Sequence, residues 1–101
     1  MSWATPTIAR LRAGHTVTCR PRGDSMRPRI TSGARCTLRP LREHEPLEPD
    51  DVVLCSVRGT HYLHLIKAVQ GERYLIGNNR GGINGWIGRR AIYGLLVSVA
   101  A

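Results

Sequence analysis

Short apolar segments separated by turn-forming residues recur along most of this chain. Val52–Val57 is apolar or small at every position, which predicts a strand buried on both faces. Arg58 and Gly59 predict a tight turn into a strand over residues 60–66, and residues 70–72 predict a second hairpin turn. Residues 92–99 are expected to form a closing strand. This spacing predicts a mainly β fold, a single small domain of curled antiparallel hairpins.

The first half of the chain has a less regular pattern. Residues 1–13 contain two apolar side chains three apart, which permits either a short helix or an extended N-terminal arm. Residues 14–101 are expected to form the folded domain. Its first two strands are predicted at residues 16–20 and 34–38, where β-branched and apolar residues alternate with polar ones. Residues 42–49 are polar and contain proline, which predicts a surface loop.

The segment between the first two predicted strands displays a serine, Ser25. Gly23 gives the backbone freedom before it, and Pro28 prevents a regular strand or helix from continuing after it. Gly33 closes the turn. The segment is therefore predicted to be a fixed loop that presents the Ser25 hydroxyl.

The chain is strongly basic. Fifteen Lys and Arg residues against seven acids give its 101 residues a formal net charge of +8. Such a charge attracts polyanions, so nucleic acid and acidic protein surfaces are candidate partners. The arginines are spread along the chain and aromatic residues are few, which leaves little surface for stacking bases. Nucleic acid is therefore an alternative partner and is not favoured.

Cysteine and hydrophobicity patterns exclude several classes of protein. Cys19, Cys36 and Cys55 lie in apolar or β-branched segments, so we expect buried thiols in a reducing compartment. No Cys-x-x-Cys pair occurs and the histidines are scattered, so neither a metal site nor a cofactor is predicted. The N-terminus lacks the apolar core of a signal peptide, and residues 91–101 are too short to span a bilayer. We expect a soluble, cytoplasmic protein without a membrane partner.

The residues around Ser25 carry a resemblance to a known family. Gly23-Asp24-Ser25-Met26-Arg27-Pro28, followed by Gly33, resembles the Gly-x-Ser-Met-x-Pro motif of the serine peptidases that include type I signal peptidases, LexA and UmuD. Asp50-Asp51-Val52-Val53-Leu54 stands where that family has Gly-Asp before a strand, with Asp in place of Gly. Tyr62-Leu63-His64-Leu65-Ile66 corresponds to the strand that carries the general base.

Two further segments continue the resemblance in the family's order. Gly77-Asn78-Asn79 corresponds to the family's Gly-Asp-Asn box, and Ile92-Tyr93-Gly94 corresponds to its final aliphatic-aromatic-Gly strand. The resemblance covers residues 14–99 and implies a LexA/signal-peptidase-like peptidase fold. It also implies an extended peptide or protein substrate that adds to a strand edge.

The resemblance implies that Ser25 is the nucleophile and that His64 is its base. Bacterial signal peptidases and LexA-like proteins use a lysine, whereas the endoplasmic-reticulum and archaeal type has a histidine at this place. Histidine titrates near pH 6.5 and can therefore activate a hydroxyl without extreme burial. Lys67, the only lysine, is the alternative base. Lys67 lies three residues beyond His64, so its side chain points to the opposite face of the strand unless a bulge intervenes.

Histidine-type members of the family usually add an aspartate that orients the imidazole. This chain has Asn78 at the corresponding place, so the expected orienting group is Asn78, Asp51 or a backbone carbonyl. A simple Ser–His dyad without an orienting group is also compatible with the sequence, and a dyad is favoured over a triad. We expect the backbone N–H groups of Asp24 and Ser25 to hold the oxyanion.

These features favour a serine endopeptidase that uses Ser25 and His64 to cleave an extended peptide or precursor protein. Two alternatives stay open. The missing acid and the replaced lysine are compatible with a peptidase-like domain that binds a peptide or partner protein without cutting it. The charge of +8 is compatible with a small basic nucleic-acid-binding domain.

Overall fold

Seven antiparallel strands and one short helix make up the fold. The computed structural model describes residues 2–100. The elements are α1 Thr5–Arg12, β1 Val17–Cys19, β2 Arg35–Arg39, β3 Val52–Val57, β4 Thr60–Gln70, β5 Arg73–Gly77, β6 Ile83–Gly88, a 3-10 turn Arg89–Ala91 and β7 Ile92–Ala100. The strands form one unclosed sheet in the order β1-β2-β7-β3-β4-β5-β6. The predicted mainly β fold is confirmed.

Strand β3 lies near the middle of the sheet and separates two apolar clusters. Val52 and Leu54 belong to one cluster, and Val53 and Cys55 belong to the other, because successive side chains of a strand point to opposite faces. All four are at most 2 % exposed. The predicted burial of β3 on both faces is confirmed. The two clusters also explain the nearly continuous apolar sequence of this strand.

Helix α1 covers the first cluster. Its residues Ile8 and Leu11 are buried, and Leu11 packs directly over Gly94 of β7. A Cβ atom built on Gly94 would lie 2.9 Å from Leu11 Cδ1 and 3.1 Å from the Arg39 carbonyl oxygen. The glycine therefore allows the helix to approach the sheet closely. Of the two conformations that the sequence permits for the N-terminal residues, the structure has the helix.

The β3–β4 hairpin has the predicted turn. Arg58 and Gly59 have φ angles of 51° and 82°, as a two-residue type I′ turn requires. Strand β4 is longer than predicted. Its residues 60–65 pair with β3 along one edge, and its residues 65–70 pair with β5 along the other edge. Residues 60–64 therefore have a partner strand on one side alone. Their other edge is open.

The polar loop predicted at residues 42–49 is anchored by one ion pair and by hydrogen bonds from arginine. The Arg39 guanidinium donates to both carboxylate oxygens of Glu45, and Glu45 also accepts from the Arg42 N–H. The hydrogen bond from Arg39 lowers the pKa of Glu45 to about 2. Arg89 donates to the carbonyl oxygens of Glu45 and Arg42. Side chains from two strand ends thus hold the loop against the sheet.

The three cysteines are free thiols in apolar surroundings. Cys36 and Cys55 are buried, and Cys19 is half-buried. Burial raises the pKa of Cys19 to about 11 and that of Cys55 to about 12. Within residues 2–100, no three His, Cys, Asp or Glu side chains converge as a metal site. Over the same residues, no helix has the length and apolar character needed to cross a membrane.

Candidate active site

Ser25 lies in a loop that is closed at its base and anchored from inside. We call residues 21–33 the Ser25 loop. The Gly33 N–H donates to the Pro21 carbonyl oxygen at 2.8 Å and closes the loop. Met26 and Ile30 are each only 4 % exposed and insert into the first apolar cluster. Because Met26 directly follows Ser25, its burial fixes the position of the serine backbone.

The Ser25 hydroxyl meets His64 at hydrogen-bonding distance. Ser25 Oγ lies 3.0 Å from His64 Nε2. His64 stands on β4 opposite Val53, and its side chain is 7 % exposed. The ring of Tyr62 stacks on the imidazole with the ring centres 4.8 Å apart. Ser25 and His64, which the resemblance implies as nucleophile and base, are 39 positions apart in sequence and form one hydrogen-bonded pair.

The other imidazole nitrogen is held by a residue that the sequence did not indicate. His64 Nδ1 lies 2.7 Å from Asn84 Oδ1. An amide oxygen only accepts, so Nδ1 carries the proton and donates it to Asn84. Nε2 then keeps its lone pair and accepts from the Ser25 hydroxyl. This is the arrangement in which histidine can act as a base toward a serine.

Asn84 reaches His64 because of a bulge in β6. In the pairing of β5 with β6, Ile76 is opposite Gly85 and Gly77 is opposite Ile83, so Asn84 is the extra residue. A bulge locally redirects a side chain and is common beside active sites. The amide of Asn84 is thereby aimed across the sheet toward β4.

Neither of the predicted orienting residues contacts His64, and this corrects the sequence-based expectation. The Asn78 side-chain oxygen accepts instead from the backbone N–H groups of Arg80 and Gly82. A carboxylate oxygen of Asp51 accepts from the Glu48 N–H. Both side chains stabilise their own turns, so they are not available to the imidazole.

Burial lowers the pKa of His64 below its usual value, because an imidazolium ion is poorly solvated there. The hydrogen bond with Asn84 opposes this effect only in part. The imidazole is therefore neutral at pH 7, with its Nε2 lone pair free to take the proton of Ser25. The group beside it is an uncharged amide, which stabilises an imidazolium less than a carboxylate would.

Lys67 lies outside the Ser25–His64 pair. A bulge does occur at this position, because Ile66 is opposite Ile76 while Ala68 is opposite Leu75. The Lys67 ammonium is nevertheless directed elsewhere and donates to the Asn78 carbonyl oxygen at 3.0 Å. Of the two candidate bases, His64 is the one whose side chain contacts the Ser25 hydroxyl.

Asn79 supports the backbone around Ser25, a role that the sequence did not indicate. The Asn79 N–H donates to the Ser25 carbonyl oxygen, and the Asn79 side-chain amide donates to the Arg27 carbonyl oxygen, both at 2.9 Å. The loop that carries Asn79 is tight, since a Cβ atom on Gly77 would lie 2.5 Å from the Gly82 carbonyl oxygen. The Gly77-Asn78-Asn79 segment therefore contacts the backbone of the Ser25 loop, and it does so through Asn79.

Backbone N–H groups beside Ser25 are available to a ligand. Among residues 2–100, the N–H groups of Asp24 and Ser25 have no acceptor within the protein. The Asp24 carboxylate is itself exposed and pairs with Arg27 at 3.5 Å. The two predicted oxyanion donors are thus unpaired and adjacent to the hydroxyl.

The Ser25–His64 pair opens into a cleft of about 560 Å³. The cleft is lined by residues 61–64 at the open edge of β4 and by residues 20–23 of the segment that leads to Ser25. Met26, Ile30 and Leu63 give the cleft an apolar floor, and Trp3 also lines it. In this antiparallel hairpin, the backbone groups of His61 and Leu63 point away from β3 and toward the cleft. They can pair with an added strand.

Together these features define a buried, neutral serine–histidine pair beside a strand edge that can accept an extended chain. No protein-family model matches this chain, and no curated protein matches its sequence.

Proposed function

We propose that this protein is a serine peptidase of the signal peptidase/LexA-like type that cleaves an extended polypeptide. The hydrogen-bonded series Ser25–His64–Asn84 carries the proposal, with distances of 3.0 Å and 2.7 Å between the paired atoms. Ser25 is the nucleophile and His64 the general base. Asn84 is a positioning residue, because it acts only through the imidazole.

The chemistry follows from the tautomer of His64. Ser25 Oγ forms a bond to the substrate carbonyl carbon while its proton passes to His64 Nε2. The carbon–nitrogen bond then breaks, and the leaving amine takes that proton. Water next attacks the ester, transfers a proton through His64 to Oγ, and releases the acid. The N–H groups of Asp24 and Ser25 are suited to stabilise the oxyanion in both steps.

The open edge of β4 supports an extended chain as the substrate. The backbone N–H and C=O groups of His61 and Leu63 can form ladder hydrogen bonds with a peptide lying in the cleft. Such a peptide would run along the β4 edge as far as His64, because β4 pairs with β5 from Leu65 onward and the edge is closed there. The scissile carbonyl would therefore lie at the end of the paired segment.

The test combines a serine-reactive probe with a peptide library. A fluorophosphonate should label Ser25 in the native protein, and library peptides should be cleaved. Ser25→Ala and His64→Gln should abolish both activities. Lys67→Met and Cys55→Ala should retain at least half of each, because neither side chain contacts the pair. Peptide cleavage that persists unchanged in Ser25→Ala would refute the proposal.

A peptide-binding domain that does not cut is the second candidate. The observation in its favour is the uncharged amide beside His64, where a carboxylate would better support the imidazolium. This candidate predicts peptide binding by the native protein with neither probe labelling nor cleavage. The same set of measurements therefore separates the two candidates.

A further inference from the structure

The charges of this protein are unevenly distributed around the cleft. Five of the seven acidic residues lie within residues 43–51, and Asp24 is paired with Arg27. The basic side chains that line the cleft are Arg20, Arg22, His61 and His64, and no Asp or Glu side chain lines it. The cleft therefore presents positive charge beside an apolar floor.

One of the two cleft arginines has no partner. Arg20 donates to the Gly33 carbonyl oxygen at 3.1 Å and so helps to close the Ser25 loop. Arg22 is exposed and, within the described residues 2–100, makes neither a hydrogen bond nor an ion pair. It lines the cleft together with residues 61–64 of β4, and it precedes Ser25 by three residues. Its guanidinium is thus free to receive a carboxylate from a chain in the cleft.

We infer that the cleft selects a polypeptide segment with an acidic side chain close to the bond at Ser25, and that Arg22 receives this side chain. The inference rests on the proposed function, whose substrate class it makes specific. Successive side chains of an extended peptide point to opposite sides. A residue next to the acidic one can therefore enter the apolar floor formed by Met26, Ile30 and Leu63.

Binding to the Ser25→Ala variant tests this preference without requiring catalysis. Three fluorescent peptides share one apolar sequence and differ in a single residue, which is Glu, Gln or Lys, with that residue scanned along the peptide. We expect the Glu peptide to bind about fivefold more tightly than the Gln peptide at one or two positions, with the Lys peptide weakest. The preference should diminish as salt is raised, because an exposed ion pair is screened.

Charge reversal at Arg22 provides the specific control. Arg22→Glu in the same background should invert the order of the Glu and Lys peptides. Arg73→Glu makes the same charge change on an exposed residue of β5, away from the cleft, and should leave the order intact. Equal affinities for the Glu and Gln peptides, or equal effects of the two reversals, would overturn the inference. The inference would also be overturned if a single-stranded dT oligonucleotide displaced the peptides and this displacement depended on Arg22.

Failure of the inference and failure of the proposed function give different results. If the probe labels native Ser25 but the peptides show no acid preference, the proposed peptidase activity stands and the proposed role of Arg22 is refuted. If the acid preference depends on Arg22 but the probe does not label Ser25, the proposed recognition site stands and the proposed peptidase activity is refuted.

Discussion

Asn84 is the most informative residue to change, because two substitutions there are expected to shift the pKa of His64 in opposite directions. Asn84→Asp adds a negative charge at the atom that now accepts from Nδ1 at 2.7 Å. An opposite charge this close raises an imidazole pKa by about 1 to 2 units. The same charge stabilises the imidazolium that forms in the transition state. We therefore expect the acylation rate at alkaline pH to rise about tenfold.

Asn84→Ala removes the hydrogen bond that at present raises the pKa of His64 against the effect of burial. The pKa should fall further, and the ring loses the acceptor that fixes its tautomer. A base in the wrong tautomer cannot accept the serine proton, so the rate should drop about 10- to 100-fold. The two substitutions thus predict opposite changes in both pKa and rate.

The assay is the rate of Ser25 acylation by an activated ester, such as p-nitrophenyl acetate, as a function of pH. Only neutral His64 accepts a proton, so the rate should decline as the pH falls through the pKa of His64. In the native protein this decline should be centred below pH 6.5, the usual value, because burial lowers the pKa. Asn84→Asp should move the decline to higher pH, and Asn84→Ala should move it to lower pH.

Imidazole NMR chemical shifts provide an independent readout of the same titration. Thermal unfolding of each variant shows whether a lost rate reflects lost structure. A decline in rate that stays at the same pH in Asn84→Asp, in a folded protein, would refute the assignment of Asn84 as the residue that orients His64.

Two further predictions concern the support of the site and of the sheet. Asn79→Ala removes the hydrogen bond to the Arg27 carbonyl oxygen and should slow Ser25 acylation about fivefold without moving its pH dependence; a shift of the pH dependence would contradict this. Gly94→Ala places a methyl group 2.9 Å from Leu11 Cδ1 and should lower the free energy of unfolding by about 1 to 3 kcal/mol in urea titrations. Gly88→Ala is the matched control, since a Cβ atom there has no neighbour within 4 Å, and a similar loss in both variants would disprove the packing argument.

Most of the sheet was predictable because its strands have simple side-chain periods. The apolar sequence of β3 and the positive φ angles required at Arg58 and Gly59 determine the central hairpin. Strand β6 was harder to predict. Its sequence Ile83–Gly88 contains two glycines and an asparagine, which have low strand propensity, and it alternates poorly because of its bulge.

The same bulge explains why the orienting residue was not predicted. Ser25 and His64 are recognisable from a motif and its order along the chain. The contact of Asn84 depends instead on one extra residue in β6, a strand two places away from β4 in the sheet. The family resemblance pointed to Asn78 by its position and to Asp51 as an acid from elsewhere in the chain, and both side chains stabilise their own turns. No periodicity in the sequence marks an asparagine that reaches across a sheet.

Strand β4 links recognition to chemistry in this proposal. Its open edge offers the backbone of only two residues, His61 and Leu63, before the edge closes at Leu65. Backbone pairing is indifferent to sequence, and a peptide can slip by two residues, roughly 7 Å, and form the same hydrogen bonds. Such a slip would move the scissile carbonyl away from Ser25. Side-chain contacts must therefore select one register, and a carboxylate bound by Arg22, three residues before Ser25, would do so.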